Sequence, residues 1–334
     1  MTRKLKWGVL STAEIARTAV IPAIQQSERG EVIAIASRDA ELAVEVSKQC
    51  NIQTAYGSYE ELLLDPEVEA VYIPLPNHLH KEWTIRAAEA GKHVLCEKPS
   101  SLCASDTKEM VEACKRHGVL FAEAFMYRYH PKHQRIKEII DSGEIGEIRG
   151  IHCTFTYNDA NGSDNVRFHK EMGGGSLYDV GVYPISAARM YLKSEPEAVT
   201  VHALFSEEHD NVDMMASGLL EFPHGVTLTF DCGMWAAHRS NMEILGTNGT
   251  IAMPKMFGWE KTAVVPQIFV HRGTVTREER LKGHNSFEIQ ADVFASAVLD
   301  GTPLPYSPED SVLNMKVIDA CLQSAQTRQR VVVG

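Results

Sequence analysis

Residues 90–99 read AGKHVLCEKP, and the interpretation of this stretch decides the fold. Gly91 ends a helix, His93 to Cys96 makes a short apolar strand, and Glu97-Lys98-Pro99 stands where that strand stops. In an open α/β sheet, ligands bind outside the carboxyl ends of the strands. Proline fixes its own φ and restricts the residue before it, so Lys98 is held on a stiff turn. Lys98 is therefore placed to face a bound cofactor. The plain alternative is a surface lysine in a loop.

Upstream, the same strand-then-helix alternation recurs. Leu5 to Leu10 reads as a buried strand, and Glu14 to Gln26 as a helix with an apolar stripe through Ile15, Ala19 and Ile24. Between them Ser11-Thr12-Ala13-Glu14-Ile15-Ala16 takes the place of a glycine-rich phosphate turn. Small residues stand at its three glycine positions, still permitting close approach of backbone N–H groups to a pyrophosphate. Val32 to Ala36 is the second strand, apolar throughout as a parallel strand buried on both faces should be.

That strand ends in Ser37-Arg38-Asp39. An acidic residue at this tip suits the ribose 2′-hydroxyl of NAD, whereas an arginine suits a 2′-phosphate. The expected cofactor is NADP, with NAD the alternative; Asp39 is read as the N-cap of a helix over Ala40 to Cys50. Ser58-x-x-Glu61 is a capping box. Ala70 to Pro74 is another strand, leading into Leu75-Pro76-Asn77-His78-Leu79-His80, a rigid loop against which a nicotinamide ribose can rest. A helix to Arg116, a stop at Gly118 and a strand over Val119 to Glu123 complete the pattern. The expectation is a doubly wound parallel sheet over residues 1–123.

Beyond it the periodicity changes. Glu147 to Thr156, Ala198 to Phe205, Met214 to Phe222, Val226 to Cys232 and Met242 to Leu245 read as strands joined by short turns, with Pro223-His224-Gly225 and Asn248-Gly249 as hairpin punctuation. Residues 124–334 are thus expected to form an α+β domain with a mostly antiparallel open sheet, giving an α/β protein overall. Glu288 to Leu299 and Glu309 to Thr327 are closing amphipathic helices whose packing the pattern does not specify. One helix interrupts the strands, opening Gly173-Gly174-Gly175-Ser176-Leu177-Tyr178-Asp179-Val180-Gly181-Val182-Tyr183. Asp179 and Tyr183 are four apart and share a face. A carboxylate and a phenol so aligned can bind and deprotonate a hydroxyl. The alternative is a core-packed tyrosine with an aspartate drawn to the helix N-terminus by its dipole.

Composition narrows the function. A chain of 334 residues, 44% hydrophobic and 23% charged, suits two ordinary globular domains. A net charge of −11 argues against nucleic acid or an anionic membrane as partner. No charged-then-apolar leader and no long apolar run suggest secretion or membrane spanning. The 7 cysteines are scattered without a C-x-x-C, which fits the reducing cytoplasm. The 14 histidines include no H-E-x-x-H, and no metal site is expected.

The EKP strand end, the GGG-x-x-x-D-x-G-x-Y helix and the order of the two domains together resemble the Gfo/Idh/MocA oxidoreductases. The opening from Trp7 to Ala16 is similar to the branch of dimeric dihydrodiol dehydrogenases and NADP-linked D-xylose dehydrogenases. The resemblance implies a Rossmann domain and catalytic roles for Lys98, Asp179 and Tyr183. Lys98 matches the family's catalytic lysine and Asp179 its substrate-binding aspartate. Tyr183 stands where many members have histidine. It further implies cofactor contacts from Ser11, Thr12, Ala13, Glu14, Ile15, Ser37, Arg38, Leu75, Pro76, Asn77, His80, Glu97, Lys98 and Arg167. The expected reaction is hydride transfer between NADP and a secondary alcohol of a sugar, polyol or dihydrodiol, with a homodimer formed through the C-terminal sheet. An NAD-linked polyol dehydrogenase, an aldose reductase running in reverse, and a non-catalytic dinucleotide sensor are the alternatives. The phosphate turn departs from the family pattern in lacking its glycines.

Overall fold

The alternating strands and helices become a six-stranded parallel sheet in the computed structural model, which describes residues 3–159, 165–258 and 265–334. Its strands are β1 (Leu5–Leu10), β2 (Gly30–Ala36), β3 (Thr54–Tyr56), β4 (Ala70–Ile73), β5 (His93–Cys96) and β6 (Phe121–Glu123), in the order β3-β2-β1-β4-β5-β6. This is the doubly wound order of dinucleotide-binding sheets, with its switch point between β1 and β4. The helices are α1 (Ile21–Gln26), α2 (Ala40–Gln49), α3 (Tyr59–Leu64), α4 (His80–Glu89) and α5 (Ala104–Arg116). Trp7, Ile35 and Tyr72 are fully buried, because parallel strands are covered on both faces.

The local signals read from the sequence are realised. Asp39 caps α2 by accepting from the Leu42 N–H at 3.1 Å, and Ser58 Oγ accepts from the Glu61 N–H at 3.2 Å, while the Glu61 carboxylate reaches back one residue further than a capping box requires, to the Gly57 N–H at 3.0 Å. Gly91 follows α4 at φ +73°, and β5 covers the HVLC segment. The helix expected over Glu14 to Gln26 is interrupted in its hydrogen-bond register: Ala16–Val20 is a π-helical turn leading into α1.

The chain folds as two compact units, residues 1–130 with 285–312, and residues 131–284 with 313–334. A contiguous division at 123/124 therefore differs from the fold, since residues 285–312 belong with the parallel sheet. In that returning segment, Phe294 packs its ring 5.1 Å from that of Trp7, and Arg29 pairs with Asp300 at 2.8 Å. An amphipathic stripe states that a helix face is buried but not against which sheet.

The second unit contains α6 (Lys132–Asp141) and α7 (Val182–Leu192), and the chain continues to α8 (Ser286–Asp300) in the first unit and then α9 (Pro308–Thr327). Its nine-stranded sheet has β7 (Ile148–Asn158), β8 (Ala198–Ser206), β9 (Val212–Glu221), β10 (Thr227–Gly233), β11 (Trp235–Gly246), β12 (Thr250–Met253), β13 (Gln267–Arg272), β14 (Val275–Arg280) and β15 (Val331–Val332). The order is β14-β13-β12-β11-β7-β10-β9-β8-β15, mostly antiparallel, with β10 running parallel to β7. Both expected hairpins form, β9 to β10 and β11 to β12. The sequence reading missed β13 and β14. Strand β14, VTREER, is polar and largely exposed, and Arg135 holds it by an ion pair to Glu279 at 2.7 Å. Among the described residues, no helix is long and apolar enough to cross a membrane.

Candidate active site

Strand register brings the first group of candidate residues to one edge. Leu10 pairs with Ala36, Ile73 with Cys96, and Cys96 with Glu123, so these strands end together. The turn after β1 begins at Ser11 with φ +143°, in the region that favours glycine, so a serine adopts backbone usually left to the missing residue. Its Oγ accepts from the Ala13 N–H at 2.9 Å, fixing the turn. Thr12 and Ala13 are half-buried, Glu14 is exposed, and Ile15 packs on the apolar core.

The tip of β2 is similarly specific. Ser37 is buried, its Oγ accepting from the Asp39 N–H at 3.2 Å, while Arg38 is exposed. The Arg38 guanidinium bonds to the Tyr59 phenol, whose pKa burial raises and Arg38 opposes. The Asp39 carboxylate is committed to its helix cap. An exposed guanidinium beside an aspartate committed to its helix cap makes this donor set fit a dinucleotide carrying a 2′-phosphate.

At the end of β5, Glu97 Oε1 accepts from the Tyr72 hydroxyl at 2.7 Å and Oε2 from the Lys98 N–H at 3.2 Å. Lys98 is half-buried and its bond to Pro99 is cis. Leu75 is buried, with Pro76 and Asn77 half-buried beside it in sequence. His80 departs from the expected cofactor contact. Its ring is fully buried, with Nδ1 2.8 Å from the Pro99 carbonyl and Nε2 2.8 Å from the Leu75 carbonyl. Burial pulls the imidazole down to about 4, against the two carbonyls. The ring thus serves the loops rather than a ligand, because both of its nitrogens face loop carbonyls in a fully buried position. Arg128 is also structural: it is buried, pairs with Asp310 at 2.6 Å and lies between the rings of Phe125 and Tyr306.

The second group lies in the other unit. Gly173 adopts φ +80° and Gly175 φ +115°; a Cβ on Gly175 would meet Asp213 Oδ1 at 2.1 Å. The glycines therefore admit a buried carboxylate to the helix start. Asp213 Oδ2 accepts from Ser176 Oγ at 2.7 Å and from the Leu177 N–H at 2.8 Å. Burial pushes Asp213 up to about 6 despite these donors. The segment it caps, Leu177–Gly181, is π-helical and runs into α7. Single π turns are frequent at functional sites.

Asp179 lies on the π turn and Tyr183 on α7. Arg167 Nε reaches Asp179 Oδ1 at 2.9 Å, and the Tyr157 hydroxyl donates to Oδ2 at 2.6 Å. The carboxylate raises the pKa of Arg167, and burial followed by that carboxylate raises Tyr157. Arg167, expected near the cofactor, is thus a partner of Asp179. The Tyr183 ring packs 5.2 Å from Phe155 and 5.4 Å from Phe257. The sequence reading missed Tyr157 and Asp213, because each meets the helix only through the folded sheet. Among the described residues, no group of three or more His, Cys, Asp or Glu side chains is arranged to hold a metal ion.

Comparison with known proteins identifies the family. Residues 5–125 match the model of an oxidoreductase family with an NAD-binding Rossmann fold, and residues 133–252 match the Gfo/Idh/MocA C-terminal domain. The chain is 38% identical to D-xylose 1-dehydrogenase (NADP(+)) 2 of Haloferax volcanii, over 97% of this chain and 98% of that one. It is 34% identical to trans-1,2-dihydrobenzene-1,2-diol dehydrogenase of Mus musculus, over 78% and 77%. A 3-ketoreductase from Actinomadura kijaniata, solved with NADP and TDP-benzene, superposes with a TM-score of 0.91 at 33% identity, covering 96% and 98% of the two chains. With both domains matched in their expected order, the chain belongs to the Gfo/Idh/MocA family of oxidoreductases.

Proposed function

We propose that the protein is an NADP-dependent dehydrogenase acting on a secondary alcohol of a sugar, polyol or dihydrodiol. The observation that carries this reading is the carboxylate and phenol of Asp179 and Tyr183 on one continuous helical segment, behind a capped glycine turn. The NADP-linked xylose dehydrogenase, the diol dehydrogenase and the NADP-bound ketoreductase named above support the choice of cofactor and substrate class. NADP, when bound, supplies the hydride acceptor.

The chain's own residues divide the remaining work. Ser11, Thr12, Ala13 and Glu14 would line the pyrophosphate turn, Arg38 would take the 2′-phosphate, and Pro76, Asn77, Glu97 and Lys98 would line the nicotinamide end. Asp179, held by Arg167 and Tyr157, orients substrate hydroxyls by accepting from them. Lys98 and Tyr183 are the catalytic pair, and one of the two takes the proton of the reacting hydroxyl. Such general base catalysis typically contributes about 10²–10⁴-fold. In the direction of ketone reduction the same residue returns that proton, and the likeness to a 3-ketoreductase favours testing both directions.

The reading includes a cytoplasmic setting and a homo-oligomer joined through the nine-stranded sheet. All seven cysteines are free thiols, which agrees with a reducing compartment. A nicotinamide absorbance assay with NADP and NAD, against a panel of aldoses, polyols, cyclic diols and keto sugars, tests the function. Turnover with NADP on at least one panel member is expected. Cofactor binding without turnover on any member would leave the sensor alternative instead.

A further inference from the structure

The Pro99–Ser100 peptide group that follows Lys98 is gripped at both ends from outside its own loop. The Pro99 carbonyl lies 2.8 Å from His80 Nδ1, on α4. The next residue, Ser100, donates its N–H to Glu123 Oε1 at 2.9 Å, at the end of β6. Ser100 Oγ in turn meets Thr107 Oγ1 at 2.8 Å on α5. Ser100 and His80 are fully buried, and Glu123 is 8% exposed. A buried carboxylate is costly unless its hydrogen bonds return the desolvation. Glu123 nevertheless stands here, in a site whose neighbours are Arg128, Asp310, Ser311 and Cys96. Arg128, which pairs directly with Asp310, lowers the cost of the buried carboxyl by its charge, and the Ser311 side chain hydrogen-bonds to it as the Ser100 N–H does.

We propose that Glu123 is a positioning residue for Lys98, acting through the single Pro99–Ser100 peptide group, whose other end meets His80. The inference rests on the catalytic reading of Lys98. A lysine side chain has several rotatable bonds, and its aim is only as good as its backbone; misplacement of a catalytic group by about 1 Å can cost ~10²-fold. Glu123 accepts from the N–H of this amide and His80 Nδ1 lies 2.8 Å from its carbonyl, so both ends of the one peptide plane are held. What Ser100 needs from Glu123 is an acceptor oxygen. Burial pushes this carboxyl up to about 7, so it is held in part as the neutral acid, and a neutral amide offers the same acceptor.

Glu123→Gln, Glu123→Ala and the volume-keeping Glu123→Leu separate positioning from folding. Two readouts are taken: the acetylation rate of Lys98 by acetic anhydride, followed by mass spectrometry at fixed pH, and the kinetic constants on the best panel substrate. Glu123→Gln is expected to keep both within about threefold of wild type. Glu123→Ala and Glu123→Leu are expected to change Lys98 acetylation at least threefold and to lower kcat at least tenfold, with KM and NADP affinity within about threefold. Wild-type acetylation and kcat in whichever of those two variants folds would overturn the proposal. So would a Glu123→Gln variant as impaired as they are. If the wild type turns over no panel member, the functional reading fails on its own account and the acetylation rates alone decide the positioning role.

Discussion

Tyr157 donates its hydroxyl to Asp179 Oδ2 at 2.6 Å, across the gap between a β-strand and the π turn. With Arg167 on the other oxygen, the carboxylate is oriented before any substrate arrives. Tyr157→Phe keeps the ring and removes one anchor. A hydrogen bond to a charged group contributes about 1.5–3 kcal/mol. The variant is expected to lose stability at the lower end of that range, since the tyrosine is half-buried, and to raise KM severalfold. Urea unfolding and steady-state kinetics check the two effects separately.

Tyr183 and Asp179 are distinguished by different kinetic signatures. Tyr183→Phe removes one hydroxyl from the catalytic pair, so kcat is expected to fall with KM little changed, as for an interaction made in the transition state. Asp179→Asn misplaces the substrate and is expected to raise KM and lower kcat together. The pH profile of kcat/KM for oxidation should lose or displace its basic limb in Tyr183→Phe. An unaltered limb with wild-type kcat would mean that Tyr183 merely packs against Phe155 and Phe257.

Lys98→Met retains side-chain length and removes the charge. Thermal unfolding and NADP binding are expected to survive, with turnover reduced by about 10²-fold or more. Near-normal turnover would return Lys98 to the role of a loop lysine.

Arg38→Ala tests cofactor choice. Loss of a charge-assisted contact to the 2′-phosphate is expected to weaken NADP by about 1–3 kcal/mol and to leave NAD nearly unaffected. Fluorescence titration with the two reduced cofactors measures both. Equal losses for the two would place Arg38 away from the 2′-phosphate.

Asp213 makes stability depend on pH. Its folded value of about 6 lies above the ordinary 3.8, so the folded state binds the proton more tightly than the unfolded chain. The stability this contributes is fully present below the ordinary value and is lost as pH rises through about 6. Its upper limit is about 3 kcal/mol. Unfolding free energies of wild type and Asp213→Asn between those two pH values should diverge accordingly; parallel curves would show that the carboxylate titrates normally.

Much of this protein is local and was therefore legible in the chain itself. The HVLC strand, the Gly91 stop, the Asp39 cap and the Asp179–Tyr183 spacing depend on residues near one another, where propensity and period act directly. The tertiary structure decided what depends on partners distant in sequence. Residues 285–312 pack with the unit that holds the parallel sheet, where Phe294 meets Trp7, and an amphipathic stripe does not name its partner. His80 turned inward to two carbonyls, and Arg167 went to Asp179, because a motif gives a residue's type and place but not its rotamer. The glycine turn acquired its reason only when β9 brought Asp213 against Gly175. Strand β14 was invisible for the converse reason: its charges are satisfied by ion pairs, Glu279 with Arg135 on α6 and Arg277 with Glu144, so no apolar alternation marks it.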